Sequence, residues 1–101
     1  MTKSVIFIRD DNNQYRAVID AISDWEGFEK LITFVQKYYS AEVLEEYDGP
    51  DARKWILESN GHRFELIHDD GYGNYFLART QESEDIIRTI GKDLEERLKN
   101  T

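Results

Sequence analysis

The chain has 101 residues with 21 acidic and 13 basic side chains, a formal net charge of -8, 40% hydrophobic residues, 13% aromatics, one proline and no cysteine. That length supports one hydrophobic core, and the apolar content can fill it without disulfides or metals as staples. The lack of cysteine excludes a disulfide framework, a thiolate zinc site and a cysteine nucleophile, and the charge balance has the wrong sign for gripping a phosphate backbone.

At the N-terminus, Met1-Thr2-Lys3-Ser4 leads into only four apolar residues, Val5 to Ile8, before Arg9 and two aspartates interrupt them. That run is too short for a signal peptide or a membrane span, so a cytoplasmic location without membrane contact is expected. Ser4 to Arg9, rich in β-branched and aromatic residues, reads as a strand that ends in the turn-forming Asp10-Asp11-Asn12-Asn13. Residues 14–22 fit two periods: Tyr15, Ala17, Ile19 and Ala21 alternate as in a strand, while Tyr15, Val18, Ile19 and Ile22 share one helical face. A strand hairpinned to the first is the preferred reading.

Ser23-Asp24-Trp25-Glu26 has the form of a capping box, with Ser23 as the cap and Glu26 reaching back to it. Phe28, Leu31, Ile32, Val35, Tyr38 and Tyr39 then recur at helical spacing, which predicts an amphipathic helix over about 24 to 39 with Tyr38 in the core. Val43 to Tyr47 reads as a strand, and Asp48-Gly49-Pro50-Asp51 ends it with turn chemistry. Arg53 to Ser59 and His62 to His68 form a hairpin across Asn60-Gly61, residues that accept the positive φ values of a two-residue type I′ turn. That turn sets the register: Ser59 opposite His62, Glu58 opposite Arg63, Leu57 opposite Phe64, Trp55 opposite Leu66 and Arg53 opposite His68. One face then carries Trp55, Leu57, Phe64 and Leu66 as core, and the other a partly wet set with Ile56 and Glu65.

After a loop over Asp69 to Asn74, Tyr75 to Arg79 reads as the last strand. From about Ser83, Ile86, Ile87, Ile90, Leu94 and Leu98 mark a second amphipathic helix, supported at i, i+4 by Glu84 with Arg88, Asp93 with Arg97 and Glu95 with Lys99. No linker or repeat divides the chain. The expectation is one α+β domain over residues 1–101, a mainly antiparallel sheet of five to six strands packed with two helices in the order ββαββββα.

Candidate chemistry is sparse. His62 and His68 lie at opposite ends of one strand, about 20 Å apart at the strand rise, so they cannot share a metal. His68 with Asp69 and Asp70 can be drawn as an acid-base cluster, but the ordinary reading is a loop-edge histidine beside a solvated acidic turn. Gly71-Tyr72-Gly73 lacks the lysine and the following helix of a phosphate loop, and the acids of this loop lack calcium-loop spacing. Ser40, Ser59 and Ser83 sit in no nucleophile elbow, and Glu45 and Glu46 point to opposite strand faces. Neither an enzyme nor a cofactor is expected. Between Lys37 and Arg53 no basic residue interrupts Glu42, Glu45, Glu46, Asp48 and Asp51. The ordinary reading of that run is a solvated face, and the sharper one a docking surface for a basic partner. Tyr72, inside an acidic Gly-rich loop, is the best candidate for an exposed aromatic anchor.

The runs Trp25-Glu26-Gly27-Phe28-Glu29-Lys30-Leu31-Ile32, Asp48-Gly49-Pro50-Asp51-Ala52-Arg53-Lys54-Trp55 and Asp69-Asp70-Gly71-Tyr72-Gly73-Asn74-Tyr75-Phe76 resemble small bacterial α+β proteins. Among these are immunity proteins of contact-dependent growth inhibition, the CdiI type, and the resemblance covers roughly residues 24 to 79. Its motifs are turns and core positions, which speak to fold before activity. The resemblance implies an antitoxin that binds the toxin domain of a secreted effector in the cytosol. Many such toxins are RNases, often acting on tRNA, with basic clefts that an acidic partner can cover. The resemblance marks no toxin-binding residues, so charge and exposure select Glu42, Glu45, Glu46 and Asp48, or the loop of Asp69, Asp70 and Tyr72. The alternatives are a regulatory or adaptor domain that uses a sheet edge or a homodimer, and a small enzyme built on His68, Asp69 and Asp70. Direct nucleic-acid binding would need a basic groove that the sequence lacks.

Overall fold

The computed structural model describes residues 4–99, arranged as β1 (Val5–Arg9), β2 (Tyr15–Ile19), α1 (Trp25–Tyr39), β3 (Glu42–Asp48), β4 (Arg53–Ser59), β5 (His62–Asp69), β6 (Gly73–Ala78) and α2 (Gln81–Lys99). The strands form one six-stranded sheet in the order β1-β2-β6-β5-β4-β3, antiparallel throughout. The fold is α+β with the expected element order, and residues 15–19 are strand.

Local chemistry explains the hairpins. Asn60 and Gly61 both have positive φ, 53° and 82°, as a type I′ turn requires, and all five expected β4/β5 pairs form. In the β1/β2 turn, Asp10 Oδ1 accepts from the backbone N–H groups of Asn12 and Gln14. The connection from β2 is not local: α1 carries the chain across to β3 at the far edge, and β3 to β6 then meander back until β6 lies beside β2.

Both helices pack on one face of the sheet. Phe28, Leu31, Ile32 and Val35 of α1 and Ile87, Ile90 and Leu94 of α2 join Val5, Ala17, Ile19, Leu57, Phe64, Leu66, Phe76 and Ala78 in the main core. Burial of such side chains, at about 1.5–3 kcal/mol each, is the main favourable contribution to the fold. Tyr39 Oη donates to Asp93 Oδ2 at 2.7 Å and ties the end of α1 to α2. Among the described residues, the opposite sheet face carries no helix. There Val18, Tyr75 and Leu77 form a second buried cluster with Ile67, shielded by long side chains such as Arg16, whose guanidinium lies 4.8 Å from the Tyr75 ring centre. No helix among the described residues is long and apolar enough to cross a membrane.

Several local expectations are corrected. Helix α1 starts one residue after Asp24, and Asp24 is its N-cap, accepting from the Gly27 N–H at 2.7 Å in place of the Ser23 and Glu26 box. Tyr38 is exposed, because it lies at the margin of the apolar stripe, where its ring packs on Phe34 and under Arg97 at 4.2 Å. Tyr39 takes the inward position beside the core. The last strand begins at Gly73 and ends at Ala78, and α2 begins at Gln81. Of the three ion pairs expected along α2, Asp93 with Arg97 forms at 2.8 Å. Glu84 instead takes Arg9 of β1 and Glu95 accepts from the Val5 N–H, so tertiary partners displace the helical ones there, while Arg88 pairs within the helix with Asp85 at i, i+3.

Candidate functional site

The sheet register aligns Asp48, Arg53, His68 and Asn74 as one row across β3, β4, β5 and β6, on the helix-covered face. The β3/β4 turn, the β5/β6 turn and the segment entering α1 therefore gather at one end of the sheet. Glu42 lies at the opposite end, paired with Glu58. Six strand steps, about 20 Å, separate it from Asp48. The two candidate sites drawn from the sequence thus partly merge, joining Asp48 to Asp69, Asp70 and Tyr72 and leaving Glu42 out.

The row is held by named contacts. Arg53 is buried at 8% exposure, 3.1 Å from Asp48 and 3.8 Å from Glu29, with its guanidinium over the rings of Trp25, Phe28 and Trp55 at 4.5–5.1 Å. Asp48 also accepts from the Trp55 indole N–H at 2.8 Å. That bond first, and the Arg53 guanidinium second, hold its carboxyl below the ordinary carboxylate range. Asp48 is thus exposed but already engaged by Trp55 and Arg53, and Glu46 is a second exposed acid beside it.

His68 is 6% exposed, which corrects the loop-edge expectation. Strand β5 continues to Asp69, so His68 sits one rung beyond Leu66 on the helix face, beneath the edge-on indole of Trp25 at 5.3 Å. Its Nδ1 lies 2.9 Å from Asn74 Oδ1, while Asn74 Nδ2 donates to the carbonyls of Ile22 and Asp24 at 2.8 and 2.9 Å. Asn74, fully buried, thereby clamps the segment entering α1 onto β6. Gly73 makes the same approach possible: a Cβ there would fall 2.7 Å from the Ser23 Cβ, and its φ of 75° favours glycine.

Asp69 does not face outward as a free charge either. Its Oδ1 accepts from the N–H groups of Gly71 and Tyr72 at 2.8 and 2.7 Å and shapes the turn. Asp70 and Tyr72 are exposed, Tyr72 at 57%, as expected for that loop. A cleft of about 430 Å³ lies between this turn and the α1 entry, lined by Asp20, Asp24, Trp25, His68, Asp70 and Tyr72 among others. Asp20, Asp24 and Trp25 had no place in the site read from sequence. No local pattern could supply them, because they reach the cleft only through the pairing of β2 with β6.

The surface charge follows from how the cations are used. Each of the seven arginines is ion-paired with a carboxylate of the chain itself, which leaves the six lysines against a larger number of outward-facing acids. At this end of the sheet they stand beside three exposed aromatics, Trp25, Tyr47 and Tyr72. Among the described residues no group of three histidine or acidic side chains is placed to hold a metal ion. No protein-family model, curated protein or solved structure matches the chain.

Proposed function

We propose that the chain is an immunity protein that binds and neutralises a cognate secreted toxin domain, a basic nuclease of the tRNase kind, by covering its active-site cleft. The observation that carries this reading is the outward acidity described above: the arginines are spent on internal pairs, and unpaired acids and three exposed aromatics share one end of the sheet. Large aromatics supply contact area and carboxylates supply steering toward a basic surface. The test is a pull-down from the source bacterium at low and high salt, followed by reconstitution of any captured toxin fragment with its substrate. Capture of a basic nuclease that the chain inhibits supports the reading, and recovery of the bait alone overturns it.

A second reading, a regulatory or adaptor domain that pairs through a sheet edge or with itself, has one observation in its favour. Edge strand β3 is guarded by four acids and a bulge between Val43 and Glu45, whereas edge strand β1 is apolar, with Ile6 and Ile8 exposed. Asp10 bonds Gln14 across the turn, so alternation directs the backbone groups of Val5, Phe7 and Arg9 away from β2. The Val5 N–H is already taken by Glu95, which leaves Phe7 and Arg9 as the open stretch. A concentration-dependent dimer in sedimentation velocity, lost in an Ile6→Lys variant, would favour this reading over the first.

A further inference from the structure

We propose that the cleft between the α1 entry and the β5/β6 turn is a receptor for a single arginine side chain of the partner. The inference rests on the reading that the partner is basic, and it specifies where and how that partner is gripped.

The cleft presents acceptors and no free cation. Asp20 and Asp70 are exposed and take part in none of the ion pairs among the described residues, while Asp24 and Asp69 spend one oxygen each on backbone N–H groups that hold the walls in place. The independent observation is His68. Asn74 donates its amide hydrogens to two carbonyls, so the atom facing His68 is an oxygen, and the ring nitrogen that meets it, Nδ1, carries the hydrogen. In the neutral ring, Nε2 is then an acceptor, and it has no hydrogen-bond partner among the described residues. Every fully buried side-chain nitrogen or oxygen there does have a partner. Nε2 is therefore reached by solvent although the residue is 94% buried (6% exposed), and this cleft is the cavity that His68 lines.

The spread of these acceptors selects the ligand. They are too dispersed for a metal ion, since no three of them are grouped to ligate one. A guanidinium has five N–H donors in a planar fork and can reach several separated acceptors at once, which a compact ammonium cannot. The rings of Trp25 and Tyr72 already lie under internal guanidinium groups, Arg53 at 5.1 Å and Arg16 at 5.6 Å, and their remaining surface suits the aliphatic stem of the incoming side chain.

The test is an NMR titration of the whole chain with Nα-acetyl-arginine amide, with the citrulline and lysine analogues as the neutral isostere and the ammonium control. Arginine amide is expected to shift the Trp25 indole, the amides of Gly71 to Gly73 and the His68 ring, with citrulline amide having little effect and lysine amide binding more weakly. Asp20→Asn combined with Asp70→Asn, at exposed positions outside the fold's hydrogen bonds, should weaken arginine amide at least about fivefold. Equal shifts from citrulline or lysine, shifts centred elsewhere, or an unchanged affinity in the double variant would overturn the proposal. The titration uses no toxin, so its failure is separable. A basic toxin held by a chain whose cleft ignores arginine amide sinks this inference alone, and arginine binding without any basic toxin sinks the proposed function.

Discussion

Asn74→Ala tests the clamp that builds the candidate site. The side chain is fully buried and makes three hydrogen bonds, donating to the carbonyls of Ile22 and Asp24 and accepting from His68 Nδ1. At about 1 kcal/mol each, their loss comes to about 3 kcal/mol, a large part of the 5–15 kcal/mol that holds a typical domain together. For a domain of this size that corresponds to a fall of about 12–24 °C in Tm. Urea unfolding followed by tryptophan fluorescence should show a lower midpoint with an unchanged m-value, since the surface exposed on unfolding is nearly the same. Asn74→Asp is nearly isosteric but turns an oxygen toward the two carbonyls, so it should cost at least as much as alanine. A loss below about 1 kcal/mol for Asn74→Ala would refute the reasoning, because it would mean that the two carbonyls and the histidine find other partners without cost.

Three further outcomes follow from contacts elsewhere in the molecule. Gly61→Ala, at φ 82° in the β4/β5 turn, should destabilise by about 1 kcal/mol without changing the sheet, read by thermal melting and far-UV circular dichroism. Tyr39→Phe removes the hydroxyl that bonds Asp93 and should cost about 1 kcal/mol in the same melting experiment, with Asp93 titrating closer to its ordinary range by NMR. Acid should unfold the protein through its paired carboxyls: Asp48 is held low by Trp55 and Arg53, Glu84 by Arg9, and Asp93 by Tyr39 and Arg97. A lowered folded pKa contributes stability that is complete above the unfolded value, about 4, and is lost as pH falls through the folded value. Tm should therefore decline steeply below about pH 4, and Asp48→Asn should flatten that decline by lowering the plateau above it; a Tm independent of pH in this range would contradict the assigned pairs.

Much of the fold was legible because it is local. Asn60-Gly61 fixes a turn type, the turn type fixes which residues face each other, and the alternation of Trp55, Leu57, Phe64 and Leu66 then states which face is buried. The apolar stripe of α1 works the same way at a period of 3.6, and its one error, Tyr38, lies at the stripe's margin, where a neighbouring helix decides exposure. Total charge was equally plain, but where it acts was not. Asp48 and Asp69 look from sequence like two more free acids, but Asp48 is held across the β3/β4 pairing by Trp55 and Arg53, and Asp69 turns back on the N–H groups of its own loop.

Sequence alone therefore determined the class of fold, the hairpin register and the acidity, since each depends on residues within a few positions of one another or on a sum over the chain. Tertiary structure decided the order of the strands, above all the pairing of β2 with β6 across more than half the chain, and with it the meeting of Asp20 and Trp25 with His68 and Asp70. Such a pairing is set by the joint burial of the main core on one side and the Val18, Tyr75 and Leu77 cluster on the other, a property of the whole sheet that no local pattern encodes.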